Sequence, residues 1–334
     1  MISVVKSRKL DVNDVRLYVG THNGIFHCDD ILAIAMLYLL MQRISKNLCV
    51  IRSRDIEFLK ENTDLLVDIG GGKYDHHQKG GNGERENGAK YASAGLIWKQ
   101  FGSLIVESFL DSPLSQEEID TIANSIDEEI IQKVDMEDNG QDVDYHPFQY
   151  ITSFLPSWTE ENKDYDKKFE ECVNNVSVTL SNIIRNFIAT YLAQKELNPM
   201  ITNKETHFDN ILVLTCQTVP WQDILVDYNE KNSDSPIDFV VFPHPSGDYA
   251  LQCVPPSKKK KNDQRIPLPG EWAGETVNLP KISGVATATF CHNNKFFARA
   301  SDYGDIIKMC RIATEKHREN GTTACEGKKD RFKR

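Results

Sequence analysis

Residues 16–72 alternate between short apolar segments of strand character and one apolar segment that is long enough for a helix. The segments "RLYVG", "LCVIRSR" and "DLLVDIGGG" are predicted strands, and "DDILAIAMLYLLMQRI" is a predicted buried helix. Strands that alternate with helices pair in parallel, because the helix carries the chain back to the edge from which the strand began. The pattern therefore predicts an α/β domain built on a parallel sheet.

Two histidines and two aspartates occupy nine residues at the start of the predicted helix, namely His22, His27, Asp29 and Asp30. One of the two aspartates is expected to cap the helix. Burying ionisable groups costs several kcal/mol unless each is paired or bound to a metal. Ligands of parallel sheets collect at the carboxyl ends of the strands. His22 follows the first strand and Asp68 ends the third, so both are expected at one edge.

Further acidic and histidine residues follow along the chain: Asp68, then Asp75, His76 and His77 in "KYDHHQKG", then Asp135 and Asp138 in "VDMEDNG". Carboxylates mixed with imidazoles suit Mn²⁺ or Mg²⁺, and Zn²⁺ less specifically, and the ligands suffice for two ions. Two such ions can activate a water and clamp the oxygens of a phosphoryl transfer. Each group alone has a simpler interpretation, since a histidine pair can form a polar turn and two aspartates can end a helix.

The chain has 334 residues, of which 40% are hydrophobic, and this predicts two domains. Residues 1–200 are predicted to form a metal-binding domain with a helical linker. After about residue 205, short strands and hairpin turns predominate before a last helix at 302–317, so residues 201–334 are predicted to form a smaller α+β domain with a basic tail, "GKKDRFKR". That tail and Lys258–Lys261 could contact RNA or act as nuclear import signals, or they could simply be a solvated tail and a solvated surface loop.

The net charge of −10 argues against a protein that coats nucleic acid through a general basic field. The eight cysteines form no CxxC pair, which fits a reducing compartment. The longest apolar run, Ile31–Met41, is about half of the roughly 20 residues that a membrane helix needs. These features predict a soluble intracellular protein without a membrane partner, and leave cytoplasm, nucleus and mitochondrion open.

The segment "YDHHQKG" resembles the DHH phosphoesterase superfamily. The segments "THNGIFHCDD", "VDIGG", "YDHHQ", "SAGLIW" and "VDMEDNG" together resemble the melanocyte proliferating gene family, whose members are described as metal-dependent 3′-to-5′ RNA exonucleases. The similarity continues through "VPW", "QCVP" and "RIPLP" in the second half. It implies a DHH-type catalytic domain, a smaller C-terminal domain and an active site in the cleft between them.

The resemblance also implies a set of metal ligands: His22, His27, Asp29, Asp68, which would bridge both ions, His76, and either Asp135 or Asp138. It further implies that His77 contacts phosphate and that Asp75 orients a neighbouring imidazole. Arg52 and Arg54 are expected to hold substrate phosphate, or else to form an interdomain salt bridge.

One departure from the family lies in the second domain. Where relatives carry a glycine pair followed by a histidine, this chain reads Ala298, Arg299, Ala300. The added Cβ atoms hinder a close approach of the backbone to the substrate. Arg299 is expected either to replace that contact by binding phosphate or to point from a strand into solvent.

Taken together, these features predict a phosphodiesterase that uses two divalent ions, with Mn²⁺ preferred and Mg²⁺ or Zn²⁺ as alternatives. The resemblance further implies a 3′-to-5′ exoribonuclease that releases nucleoside 5′-monophosphates from single-stranded RNA or short oligonucleotides. Two alternatives stay open: a metal-dependent hydrolase of a small phosphate or amide, and a metal-binding interaction protein without turnover. The oligomeric state is open.

Overall fold

The computed structural model describes residues 2–8, 16–203, 205–216 and 219–329, with side chains described up to residue 320. The chain divides into two compact units, Met1–Ile188 and Ala189–Arg334. The side chains of the predicted basic tail lie outside the described residues. Within the described part, no helix combines the length and the apolar character that crossing a membrane requires.

The N-terminal unit is built on a four-stranded sheet in the order β1-β3-β2-β4. Its strands are β1 (Ser3–Val4), β2 (Leu17–Thr21), β3 (Leu48–Arg52) and β4 (Leu65–Leu66). Every pair of neighbouring strands runs parallel, which confirms the predicted parallel sheet. The carboxyl ends of these strands therefore open on one edge.

The helices of this unit are α1 (Cys28–Arg43), α2 (Ile56–Asn62), α3 (Ser93–Glu107), α4 (Gln116–Ile126) and α5 (Gln132–Asp138). A π-helical turn, Asp127–Ile131, joins α4 to α5. After a 3₁₀ turn at Gln149–Phe154, α6 (Tyr165–Thr202) begins in this unit and extends past its boundary.

The buried helix α1 begins differently from the prediction. His27, and not Asp29 or Asp30, occupies the N-cap position. Asp30 lies three residues further on, and its carboxylate accepts a hydrogen bond of 2.9 Å from the backbone N–H of His27. This is the reciprocal half of a capping box, in which the third helical residue reaches back to the cap.

The C-terminal unit contains a six-stranded mixed sheet in the order β5-β6-β7-β8-β10-β9. Its strands are β5 (His207–Phe208), β6 (Ile211–Val213), β7 (Phe239–Pro243), β8 (Tyr249–Cys253), β9 (Ala288–Cys291) and β10 (Phe297–Ala300). Only β6 and β7 pair in parallel among these described strands.

Helices α7 (Gln222–Lys231), α8 (Leu279–Ser283) and α9 (Tyr303–Lys329) complete the unit. Two apolar clusters form its core, one that includes Trp272 and one that includes Trp221. The predicted final helix is confirmed, although it extends beyond residue 317 to Lys329.

Candidate metal centre

The strand ends bring His22 and Asp68 together, as the alternating pattern predicts. His22 follows β2, Asp68 follows β4, and the His22 Nε2 atom lies 3.2 Å from an Asp68 carboxylate oxygen. Asp68 has a left-handed backbone conformation with φ of 60°. A non-glycine residue rarely adopts this conformation, and such strain persists where the surroundings hold it, often at functional sites.

Asp68 is the centre of the site. Three imidazoles surround its carboxylate, because His76 Nε2 and His77 Nδ1 each lie 3.4 Å from Oδ1, on the other side from His22. The Ser93 hydroxyl donates a further hydrogen bond of 2.9 Å to Oδ1. Asp68 is only 3% exposed, so these neighbours and not water supply its partners.

A second set of carboxylates faces His76. Its Nε2 atom lies 3.0 Å from Asp138 Oδ2 and 3.6 Å from Asp29 Oδ2. Asp29 is fully buried, yet its Oδ1 has no hydrogen-bond partner among the described residues, and Nε2 of His76, although close to these carboxylates, forms no well-aligned hydrogen bond with them. Buried polar atoms without partners are rare in folded proteins, and an oxygen and an imidazole nitrogen together suit a divalent cation.

Three overlapping groups of side chains have donor atoms within 4.8 Å of one another and are suited to holding an ion. They are His22–His27–Asp68, Asp68–His76–His77 and His27–Asp29–Asp138. Asp68 belongs to two of them, and so does His27. Shared ligands are what two adjacent ions require. The donor set therefore fits divalent metal binding.

Asp30 is the residue that sequence reasoning missed. Its carboxylate lies 3.2 Å from His22 Nε2, the same atom that contacts Asp68, and Asp30 is fully buried. The signal was its place directly after Asp29, but a helix-cap role explained that position equally well. Asp30 thus both completes the capping box of α1 from its third helical position and contacts a candidate ligand.

The carboxylates hold positive charge at this edge. Burial alone would lower the pKa of His22, but hydrogen bonds to Asp30 and Asp68 raise it to about 10. The pKa of His76 is raised to about 10 as well, since its contacts with Asp138 and Asp68 outweigh its burial. Burial and the nearby carboxylates raise the pKa of Asp29. The site therefore favours a cation, whether a proton or a metal ion.

Asp75 fixes the imidazole of His77. The carboxylate accepts hydrogen bonds from the backbone N–H of Gly71 at 2.6 Å and of His77 at 3.0 Å, and its Oδ1 lies 2.8 Å from His77 Nδ1. Burial would raise the pKa of Asp75, but these hydrogen bonds lower it. The His77 side chain is 59% exposed, so its orientation is held while its other nitrogen stays accessible.

Asp135 lies outside the cluster, although it is only three residues from Asp138. Its carboxylate lies 2.8 Å from Arg85 Nη2 and accepts a 2.9 Å hydrogen bond from the N–H of Gly95 at the start of α3. Three residues turn an α-helix by about 300°, so the two side chains diverge by about 60°. Of the two aspartates, the structure brings Asp138 to the histidines.

The two aspartates should respond differently to substitution. Asp138→Asn should weaken metal binding and activity at unchanged stability. Asp135→Asn should lower the free energy of unfolding by about 1–3 kcal/mol, because a buried charged hydrogen-bond network is broken. Urea unfolding and metal titration of both variants measure these effects. A loss of metal affinity in Asp135→Asn alone would reverse the assignment.

Gly95 permits the close approach of Asp135 to α3. A Cβ atom at this position would lie 1.8 Å from the Asp135 carboxylate, which no side chain tolerates. We expect Gly95→Ala to lower the free energy of unfolding by about 1–3 kcal/mol through overpacking, measured by urea denaturation. Gly72→Ala is the matched control, since no atom lies within 4 Å of a Cβ there. Equal stabilities of the two variants would contradict this interpretation.

The two arginines predicted to bind phosphate differ in their burial and in their hydrogen-bond partners. Arg52 is buried, pairs with Asp166 at 3.0 Å and donates to the Gly24 carbonyl at 2.8 Å. This salt bridge lies inside the N-terminal unit and not between domains. Arg54 is exposed and forms no hydrogen bond or ion pair with any described residue. It lines a cavity of about 280 Å³ together with His22, His27, Asp68, Ile69, Gly70, Asp75 and His77.

Arg299 lies on β10 of the C-terminal unit and has partners there. Its Nη1 donates a 2.9 Å hydrogen bond to Ser246 and lies 3.5 Å from the carboxylate of Asp248. Ala298 and Ala300 on either side are fully buried. Arg299 is therefore neither unpaired nor directed only at solvent, and its phosphate contact stays a prediction.

A solved structure of RecJ from Thermus thermophilus in complex with Mn²⁺ overlaps this chain weakly, with a TM-score of 0.26 and 12% sequence identity. The overlap covers 89% of this chain and 52% of RecJ, so the chain spans about half of that protein. At this score the overlap supports no conclusion about the fold or the site.

Sequence comparisons are more informative. Residues 18–314 match a family model named MYG1_exonuc and described as an uncharacterised protein family, UPF0160. A MYG1 protein of Caenorhabditis elegans is 28% identical over 90% of this chain and 96% of its own length. A mouse protein named MYG1 exonuclease is 29% identical over 88% of this chain and 83% of its own length. A yeast MYG1 protein is 28% identical over 88% of this chain and 95% of its own length. The chain belongs to the MYG1 family, as the resemblance of its motifs predicts.

Proposed function

We propose that this protein is a divalent-metal-dependent phosphodiesterase of the DHH type that degrades single-stranded RNA from the 3′ end and releases nucleoside 5′-monophosphates. The observation that carries the proposal is the sharing of Asp68 between two candidate ligand groups. The mouse and human relatives named MYG1 exonuclease support the nuclease activity. No observation favours the small phosphate or amide substrate that the sequence leaves open.

The ligand groups that share Asp68 would hold two ions. His22 and His27 would complete one of these groups and His76 would belong to the other, while Asp29 and Asp138 form a third group with His27. Asp30 and Ser93 would hold these ligands in place. When bound, a pair of divalent ions lowers the pKa of water and stabilises the attacking and leaving oxygens of a phosphoryl transfer.

The remaining residues act on the substrate. His77, fixed by Asp75, would contact a non-bridging oxygen of the scissile phosphate. Arg54 carries a positive charge without a partner among the described residues and would attract the phosphate backbone to this cavity, which it lines together with His77. Arg52 already forms a salt bridge with Asp166, so its role would be to hold the loop that contains Gly24 through a hydrogen bond to the Gly24 carbonyl.

The test of this proposal is a substrate panel. Purified protein is incubated with 5′-labelled single-stranded RNA, single-stranded DNA and a dinucleotide, each with Mn²⁺, Mg²⁺ or EDTA. We expect RNA to shorten from its 3′ end in steps of one nucleotide, with Mn²⁺ present and not with EDTA. Cleavage of the dinucleotide alone would indicate a small-substrate hydrolase. Metal binding without any cleavage would indicate a non-catalytic protein.

Mn²⁺ should support faster turnover than Mg²⁺ at saturating concentrations of each ion. The reason is the donor set, because imidazole ligands suit Mn²⁺ whereas Mg²⁺ prefers an octahedron of oxygens. Initial rates of RNA hydrolysis in metal-stripped protein provide the measurement. Equal or faster turnover with Mg²⁺ would argue that the histidines do not contact the ions.

A further inference from the structure

A second cavity of about 530 Å³ lies in the N-terminal unit, and Arg54 is shared between its lining and that of the cavity at the metal centre. We name it the basic pocket. Its charged lining residues are Lys6, Arg52, Arg54, Lys163, Asp164 and Asp166. The shared arginine makes the two cavities neighbours, so a ligand too long for the metal centre reaches the basic pocket next.

The basic pocket has an excess of positive charge, with four basic against two acidic side chains. Both acidic side chains already have partners within the chain. Asp166 lies 3.0 Å from both Lys6 and Arg52, and Asp164 accepts the backbone N–H of Lys167 at 3.0 Å at the start of α6. In a protein with a net charge of −10, this excess is a local feature.

Two cations of the pocket are available to a ligand. Arg54 and Lys163 are exposed, and neither forms a hydrogen bond or an ion pair within the part of the chain that the structure describes. Arg52 is buried, and its Nε has no hydrogen-bond partner there. A buried unpartnered donor next to two unpaired cations suits an anion.

The wall of the pocket adds an apolar surface. Gly24, with φ of 84°, holds a turn whose carbonyl accepts the 2.8 Å hydrogen bond from Arg52 Nη2. The next residue, Ile25, lines the pocket and is 53% exposed. An exposed aliphatic side chain beside cations offers contact to a ribose or base whose phosphate the cations hold.

We propose that the basic pocket is a second nucleotide subsite, in which Arg54 and Lys163 bind the backbone phosphate next to the scissile one along single-stranded RNA. The inference rests on the proposed function, because it takes the scissile phosphate to lie at the metal centre. It assigns to the pocket a preference for oligonucleotides over dinucleotides, since a dinucleotide has no second backbone phosphate.

The test compares Lys163→Ala with Lys46→Ala. Lys46 is also exposed, but it precedes β3 at the opposite end of the sheet, so its removal changes the net charge equally without touching the pocket. KM is measured for a 5′-labelled octaribonucleotide and a diribonucleotide. We expect Lys163→Ala to raise KM of the octamer about tenfold, as for the loss of one charged hydrogen bond. KM of the dimer should rise less than about twofold, because the dimer has no second backbone phosphate for Lys163 to contact.

Binding of the labelled octamer in EDTA, followed by fluorescence anisotropy at several salt concentrations, separates this inference from the proposed function. The salt slope should fall by about 0.7 in Lys163→Ala, as for one fewer phosphate neutralised on a single strand, and not in Lys46→Ala. If the wild type cleaves nothing, the proposed function fails, while Lys163-dependent binding still supports the subsite. Equal KM changes for dimer and octamer, or equal effects of both variants, would overturn it.

Discussion

Asp68→Asn should reduce RNA hydrolysis to less than about a tenth of the wild-type rate, since one shared ligand serves both candidate ions. Asparagine has nearly the same size and tolerates the left-handed backbone that Asp68 adopts with φ of 60°. The substitution therefore removes the charge and leaves the backbone conformation intact. Rates are measured with saturating Mn²⁺, so that weaker binding does not mimic a loss of turnover.

The matched control for this variant is Asp209→Asn. Asp209 also has a left-handed backbone, with φ of 54°, but it is an exposed residue of the C-terminal unit whose side chain pairs with Arg311. Both variants lose one negative charge at the same kind of backbone position. Asp209→Asn should keep the wild-type rate. A rate above a tenth of wild type in Asp68→Asn would remove Asp68 from the ligand set.

Mn²⁺ should raise the melting temperature of the metal-stripped protein by about 5–10 °C. At about 100 times its Kd, an ion stabilises the folded state by about 2.7 kcal/mol, and each kcal/mol shifts Tm by about 2–4 °C in a unit of this size. The physical reason is that Asp29, Asp30 and Asp68 are buried close together, so a divalent ion bound among them offsets the repulsion between their negative charges.

Differential scanning calorimetry with and without EDTA provides this measurement. The shift should shrink in Asp68→Asn and persist in Asp209→Asn, because only the first variant lacks a candidate ligand. An identical Tm in Mn²⁺ and in EDTA for the wild type would mean that the cluster is a hydrogen-bonded network that needs no ion.

The local pattern predicts the fold and one edge of the site well. Strand–helix alternation requires a parallel sheet, and a parallel sheet brings the residues after its strands to one edge. His22 and Asp68, 46 positions apart in the sequence, lie at the same edge for this reason, and there their side chains are 3.2 Å apart. No knowledge of the packed core is needed for that prediction.

The remaining contacts depend on packing between distant segments. Arg85 and Gly95 bind the carboxylate of Asp135, and this leaves Asp138 as the aspartate that contacts the histidines. The periodicity of hydrophobic residues in a sequence carries no information about these two contacts. Arg52 finds its partner Asp166 across 114 positions of the chain. The contact between Asp30 and His22 could not be predicted from the sequence, because an aspartate at the start of a helix is expected to cap the helix whether or not it also contacts a candidate ligand.

The most direct test of a two-ion phosphodiesterase is a titration of metal-stripped protein with Mn²⁺, in which bound ions per chain and the rate of RNA hydrolysis are followed in the same samples. Sharing of Asp68 between two ligand groups predicts that hydrolysis stays near the background while one ion is bound per chain. It should then rise as the second ion binds. Full activity with a single bound ion, or hydrolysis that persists in EDTA, would contradict the proposed mechanism.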